Sequence, residues 1–105
     1  MTEVAAPTQR MIEATNRGDT EAFIASFTAD AYLVDWGREF HGHDGVARWN
    51  ETDNIGKQSH FEVRDARRNG DEHVVTIEVT GNGYSGTGDI VFALEGDLIK
   101  RMIIG

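Results

Sequence analysis

Apolar residues in the first quarter of the chain recur at helical spacing, whereas those in the last half alternate with polar ones. From Pro7 to Arg17, Met11, Ile12 and Thr15 share a face that Arg10, Glu13 and Asn16 avoid, which predicts an amphipathic helix. Pro7 suits its first turn, and Gly18 can take the left-handed conformation that closes it. Asp19 then offers an oxygen to the free amides of a second helix, with Phe23, Ile24 and Phe27 as its apolar stripe. Ala31 to Trp36 is aromatic and β-branched enough for a strand that Gly37 ends, and Arg38 to His41 pairs back as a short second strand. Gly42-His43-Asp44 opens a third helix, capped by His43 or Asp44, with Val46, Trp49 and Asn50 on one face.

From Ser59 onward the period is two. Phe61 and Val63 alternate with His60, Glu62 and Arg64, and Asn69-Gly70 signals a two-residue hairpin into His73–Thr80. Gly81–Gly88 is a glycine-rich reversal, Asp89–Glu95 the next strand, and Glu95-Gly96-Asp97 turns the chain into Leu98–Ile104. Helices early and antiparallel strands late define an α+β class: a curved antiparallel sheet covered on one face by three helices of the N-terminal half. At 105 residues the chain is expected to form a single domain over 1–105.

Composition narrows the chemistry. The absence of Cys removes disulfides, thiolate nucleophiles and Cys-based metal sites. A net charge of −8 argues against a nucleic-acid partner, since that affinity comes largely from Lys and Arg. Without a long apolar run or a charged-then-apolar leader, no membrane association is expected and the cytoplasm is the expected compartment.

Arg17-Gly18-Asp19-Thr20-Glu21, followed by Phe27-Thr28-Ala29-Asp30-Ala31, resembles the opening of the nuclear transport factor 2-like, or SnoaL-like, superfamily. Gly42-x-x-x-Val46-x-x-Trp49 is similar to that family's third-helix motif, and the closing hairpin at Gly96-Asp97 also fits. The resemblance runs from about Thr8 to the end. It implies a cone-shaped α+β barrel enclosing an apolar pocket, in a homodimer. Ketosteroid isomerase, polyketide cyclases, epoxide hydrolases and non-catalytic binders share this fold, so the site must argue for itself.

Asp35 is the leading catalytic candidate. The ungapped stretch from Phe27 to Asp35 resembles the isomerase segment that ends in its general-base Asp. A carboxylate partly buried among apolar groups is disfavoured as an anion, which suits such groups to proton transfer. The plain alternative is a strand-end Asp bonded to nearby amides. The isomerase's oxyanion-hole Tyr falls on Met11, which donates nothing, and its second acid falls near Asp89 or Ile90. Steroid isomerisation is therefore disfavoured, and a single-Asp mechanism of the cyclase kind survives better. Asp89 or His41, or a water, is left to steady an oxyanion. Epoxide hydrolysis needs an Asp–Arg–Asp cluster around a water, for which Arg64 and Arg101 are the arginines considered.

A pocket formed by Met11, Phe27, Leu33, Trp49 and the last strand, with Asp89 beside it, would take a small apolar molecule. Packing in the core or a dimer interface is the plainer reading of Trp36 and Trp49. His41-Gly42-His43 lacks a carboxylate at metal spacing, so no metal or other cofactor is expected. Gly81–Gly88 lacks the Gly-Lys-Ser/Thr ending of a phosphate loop, and no Gly-x-Ser-x-Gly elbow supports a serine nucleophile. The sequence reading is a small-molecule binder with an apolar pocket, or an isomerase- or cyclase-type proton-transfer enzyme using Asp35. The alternative is a non-catalytic ligand binder or dimeric interaction module.

Overall fold

The computed structural model describes residues 3–105. Helix α1 (Ala6–Arg17) carries Pro7 in its first turn and buries Thr8, Met11, Ile12, Ala14 and Thr15 along one face. Gly18, at φ 70°, ends it in the left-handed conformation, and its amide and that of Asp19 bond the last free carbonyls. Asp19 then caps α2 (Thr20–Ala25), its Oδ1 accepting from the Ala22 amide at 3.1 Å. The expected second helix stops short of Phe27. Ser26 closes it, its hydroxyl donating to the Ala22 carbonyl at 2.9 Å, and Phe27 begins strand β1 (Phe27–Asp35). Aromatic Phe27 and β-branched Thr28 favour the extended backbone there.

Strand β2 (Arg38–His41) pairs back on β1, with Asp35 opposite Arg38 and Leu33 opposite Phe40. Helix α3 (Gly42–Asp53) starts after an extended His41 and has no side-chain cap. His43 instead donates Nε2–H to the Phe27 carbonyl at 2.9 Å, and Asp44 lies in the first turn, where its charge suits the free amides. A 3-10 turn (Ile55–Lys57) leads to β3 (His60–Asn69), β4 (Glu72–Thr80), β5 (Gly86–Glu95) and β6 (Leu98–Ile104). The β3–β4 hairpin turns at Gly70-Asp71, one residue later than expected, because Asn69 pairs with Glu72. Gly70, at φ 64°, occupies the first central position, where a left-handed residue is needed. Strand β5 takes in Gly86–Gly88, so the reversal shortens to Gly81–Ser85.

The six strands form one curved, unclosed sheet in the order β2-β1-β6-β5-β4-β3. It is not a pure antiparallel meander: β6 lies between β5 and β1 and runs parallel to β1, with Leu33 beside Met102 and Asp35 beside Ile104. A bulge at Lys100 sets the side-chain parity. Ala93 pairs with Arg101 but Leu94 with Ile99, so Ile99 and Met102, three residues apart, are both buried.

The helices cover the face that carries Ala31, Leu33, Val75, Ile77, Ile90, Phe92 and Met102. Phe23 bridges the layers, its ring centroid 5.2 Å from Phe27 and 6.1 Å from Trp49. Between the helices lies a buried polar chain: Asn54 Nδ2 donates to Thr15 Oγ1 and to Asn50 Oδ1, both at 3.0 Å. Leu33 is fully buried at the parallel seam. Leu33→Ala is expected to lower stability by about 2–5 kcal/mol, read from urea unfolding with an unchanged slope. A loss below about 0.5 kcal/mol would mean the seam does not belong to the cooperative core.

Candidate functional site

A cavity of about 750 Å³ opens between α3, the 3-10 turn and the inner face of the sheet. Its apolar walls come from Trp49, Phe61, Ile77, Val79, Ile90 and Ile104. Gly88 pairs with Ile77 on the same face, and a Cβ there would meet nothing within 4 Å. The missing side chain is part of the open space.

Alternation along β1 puts Asp35 on the inner face with Ala31 and Leu33, and its side chain is only 14% exposed. It is not surrounded by apolar groups alone. Trp49 Nε1 donates to Oδ2 at 2.9 Å, and Arg38 Nη2 donates to the same oxygen at 2.5 Å. Oδ1 has no hydrogen-bond partner among the described residues. One oxygen of Asp35 is thus fixed, and the other is left without a partner.

Arg38 also reaches Asp53 on α3, with Nη2 3.1 Å from Oδ1 and Nη1 3.4 Å from Oδ2, while its guanidinium lies 5.7 Å from the Phe40 ring centre. Burial pushes the Asp53 carboxyl up. Hydrogen bonds from Thr52 and Arg38 and the charges of Arg38 and Lys57 outweigh it, holding the group below its ordinary 3.8. An Asp35–Arg38–Asp53 cluster therefore stands at the cavity. It does not use the arginines weighed from the sequence: Arg64 pairs with Glu62 and Glu78, and Arg101 with Glu72. Lys57 also lines the cavity and has no ion pair among the described residues.

The other expected site residues divide. Trp49 lines the cavity, but Met11, Phe27 and Leu33 do not; they are packed into the core beneath the helices. Phe27 and Leu33 are taken up by the β1–β6 seam, and Met11 by α1 packing, its Sδ 3.8 Å from Thr15 Oγ1. Asp89 borders the cavity, yet its pair partner Thr76 lies on the face opposite Val75 and Ile90. Its carboxylate accepts from Thr76 Oγ1 at 2.5 Å and Arg67 Nη2 at 2.6 Å, and these bonds hold its pKa below 3.8. His41 and Arg101 pair with Tyr32, on the face away from Asp35, so His41 does not assist it. Among the described residues no three of His, Asp and Glu gather as a metal site. No helix there is long and apolar enough to cross a membrane.

Sequence reasoning missed Arg38, Asp53 and Tyr84, and Trp36, read there as core or interface packing, is instead 74% exposed beside the cavity. Arg38 was within reach: a two-residue turn at Trp36-Gly37 makes Asp35 and Arg38 a cross-strand pair. Trp36 sits in that turn at φ 50° and Gly37 at φ 86°. Two successive positive φ values mark a type I′ turn, which favours Asn-Gly, and a bulky residue held there costs roughly 1–3 kcal/mol.

An open α+β sheet, a helix-covered cavity and one inward strand-end carboxylate together make up the candidate site. The sequence matches the SnoaL-like domain over residues 8–102, and the chain belongs to that family. No functionally curated protein matches it. Among solved structures it is similar to a provisionally assigned polyketide cyclase, SMa1630, of Sinorhizobium meliloti, with 22% identity, 97% of this chain and 95% of that one covered, and a TM-score of 0.85. It is also similar to RV0760c of Mycobacterium tuberculosis, solved with estradiol-17β-hemisuccinate, at 14% identity, 92% and 88% coverage and a TM-score of 0.80. A provisionally assigned ketosteroid isomerase of Kribbella flavida matches at 16% identity, 93% and 73% coverage and a TM-score of 0.78. At these identities the likeness establishes the fold alone.

Arg38→Met leaves the half-buried Asp53 without its guanidinium, so its carboxyl is expected to titrate higher than in the native chain, read by carboxyl NMR. The sign for stability follows. In the native protein the contribution of Asp53 is present above about 3.8 and is lost as pH falls through its lowered value; in the variant that contribution shrinks as the folded value moves up. A titration that stays low in the variant would assign the effect to Thr52 and Lys57.

Proposed function

We propose that the chain binds a small, largely apolar molecule in the cavity and that Asp35 moves a proton on it, in an isomerase- or cyclase-type reaction. The observation that carries this is the division of Asp35: Oδ2 held by Trp49 and Arg38, Oδ1 unpartnered in a largely apolar-walled cavity. Oδ1 would take a proton from a carbon next to a carbonyl, and the electron pair of that C–H bond would pass into the enolate. Return of the proton to another carbon isomerises the ligand; attack of the enolate carbon on a second carbonyl cyclises it, the C=O pair passing to oxygen, which takes the proton back from Asp35. Asp89 and His41 face away from Asp35, so the oxyanion is left to a water or to Lys57. The steroid hemisuccinate held by RV0760c supports the ligand class. The family resemblance supports a homodimer as the working state.

The Asp35–Arg38–Asp53 cluster favours a second reading, epoxide hydrolysis. One carboxylate would take a proton from water, the hydroxide formed would open the ring at carbon, and the other carboxyl would protonate the departing oxygen. The lowered titration of Asp53 fits it to the base and not to the acid.

Two variants separate these chemistries. In an assay of β,γ- to α,β-unsaturated ketone conversion, Asp35→Asn is expected to lower kcat by about 10²-fold or more, the scale of a general base, with affinity kept. Asp53→Asn should leave that conversion within a few-fold, whereas hydrolysis of a styrene-type epoxide would need both residues. Loss of affinity in Asp35→Asn would make the carboxylate a binding group and the protein a non-catalytic binder.

Occupancy of the cavity has its own test. Gly88→Leu should fold with an unchanged melting midpoint, since the added side chain enters open space, and should abolish binding of a ketone probe by calorimetry. Binding that survives Gly88→Leu would put the ligand elsewhere.

A further inference from the structure

Among the described residues, the two exposed large apolar side chains, Trp36 at 74% and Tyr84 at 59%, both line the cavity. Exposed aromatics scattered singly need no explanation. These two share the border of one opening, and each is seated against a glycine. A Cβ on Gly105 would lie 2.8 Å from Trp36 Cδ2, and one on Gly86 would overlap the Tyr84 ring near its hydroxyl. Any side chain at either glycine would displace the aromatic from its position. Trp36 also stands where the backbone disfavours it, at φ 50° in a turn whose geometry suits Asn. Its amide is tied to the Ile104 carbonyl at 3.0 Å, so the turn is fixed in place. Tyr84 belongs to the Gly81–Ser85 reversal, which is tied to the 3-10 turn by Asn82 N–H donating to the Lys57 carbonyl at 2.8 Å. Folding alone does not explain an exposed indole in a left-handed turn.

We propose that Trp36 and Tyr84 form an aromatic rim that selects flat, fused-ring ligands, holding the ring system at the cavity mouth while its polar group reaches Oδ1 of Asp35. This rests on the cavity reading above and adds the ligand's shape. An indole and a phenol present π faces that a planar ring meets with full contact and a puckered saturated ring does not. Trp36 follows Asp35 directly, so ring contact and polar contact are set by one turn.

The test uses a matched pair of probes, 2-naphthol and trans-decahydro-2-naphthol, titrated calorimetrically into the full chain and into Trp36→Asn, Tyr84→Ala and Gly88→Leu. The native chain is expected to prefer the flat probe by about fivefold or more. Trp36→Asn and Tyr84→Ala should each weaken the flat probe about five- to tenfold and leave the saturated one within twofold. Trp36→Asn should also keep or raise the melting midpoint, since Asn-Gly suits the turn. Gly88→Leu should abolish both titrations. Equal loss of both probes, or no loss, with Gly88→Leu still blocking binding, overturns the rim and leaves the cavity reading standing. If neither probe binds the native chain, or Gly88→Leu changes nothing, the cavity reading fails and the rim with it. If Trp36→Asn lowers self-association by sedimentation and spares affinity, Trp36 is an interface residue and the rim is wrong.

Discussion

The parallel pairing of β1 with β6 is the constraint on which the rest of the architecture depends. It joins the first strand of the chain to the last, across everything between Phe27 and Ile104. Without it the β1–β2 hairpin and the β3–β6 meander would be two small sheets, each too slight to hold a core alone. Parallel strands need a long crossover, and here the entire chain between them is that crossover. Leu33 and Met102 fill the seam, Phe23 and Trp49 close it from the helical side, and α3 is held over β1 as a result. Such non-local contact is slow to form and, once formed, makes the fold cooperative.

The same pairing builds the site. Asp35 is the last residue of β1, beside Ile104, and the next amide, Trp36 N–H, bonds the Ile104 carbonyl. The strand therefore ends in a fixed turn at the cavity wall, and a carboxylate at that point is aimed by the pleat and not by a loop. α3 answers it with Trp49 at 2.9 Å and, one turn on, with Asp53, while β2 returns Arg38 between the two carboxylates. Two elements, α3 and β2, converge on one oxygen of the carboxylate that β1 carries. A site made from strand ends and a helix face keeps its geometry better than one made from loops.

Much of this was legible in the sequence, and the illegible part has a definite cause. Helical period in Met11, Ile12 and Thr15, the Gly18-Asp19 stop and start, and alternation after Ser59 carried the α+β class and every strand of the meander. Asp35 and Trp49 were each singled out, but the hydrogen bond between them was not foreseen. What failed was parity. The bulge at Lys100 and the commitment of Asp89 to Thr76 and Arg67 decide which side chains face inward, and a one-residue slip reverses each of them. Met11, Phe27 and Leu33 have the apolar character of pocket residues, but the sequence does not say how deep the helices press, and they lie wholly inside. The mouth of the cavity comes from glycines whose partners are distant: Gly105 meets Trp36, and Gly83 meets Lys57.

Division of labour between the two oxygens of Asp35 ties stability to chemistry. A buried carboxylate with no partner would destabilise the fold, and one bonded through both oxygens would have nothing left for a ligand. Trp49 and Arg38 both bond Oδ2, which satisfies the buried group and leaves Oδ1 free. Arg38, shared with Asp53, keeps the local charge of two carboxylates and one guanidinium near −1 in place of −2, so the acidic chain can keep two acids close together. Under the proposed function that balance constrains the ligand: a cation or a neutral hydrogen-bond donor would meet Oδ1 directly, whereas an anion would depend on Lys57, whose charge already acts on Asp53. A neutral, largely apolar molecule with one acidic C–H or O–H satisfies the walls, the charge and the free oxygen together.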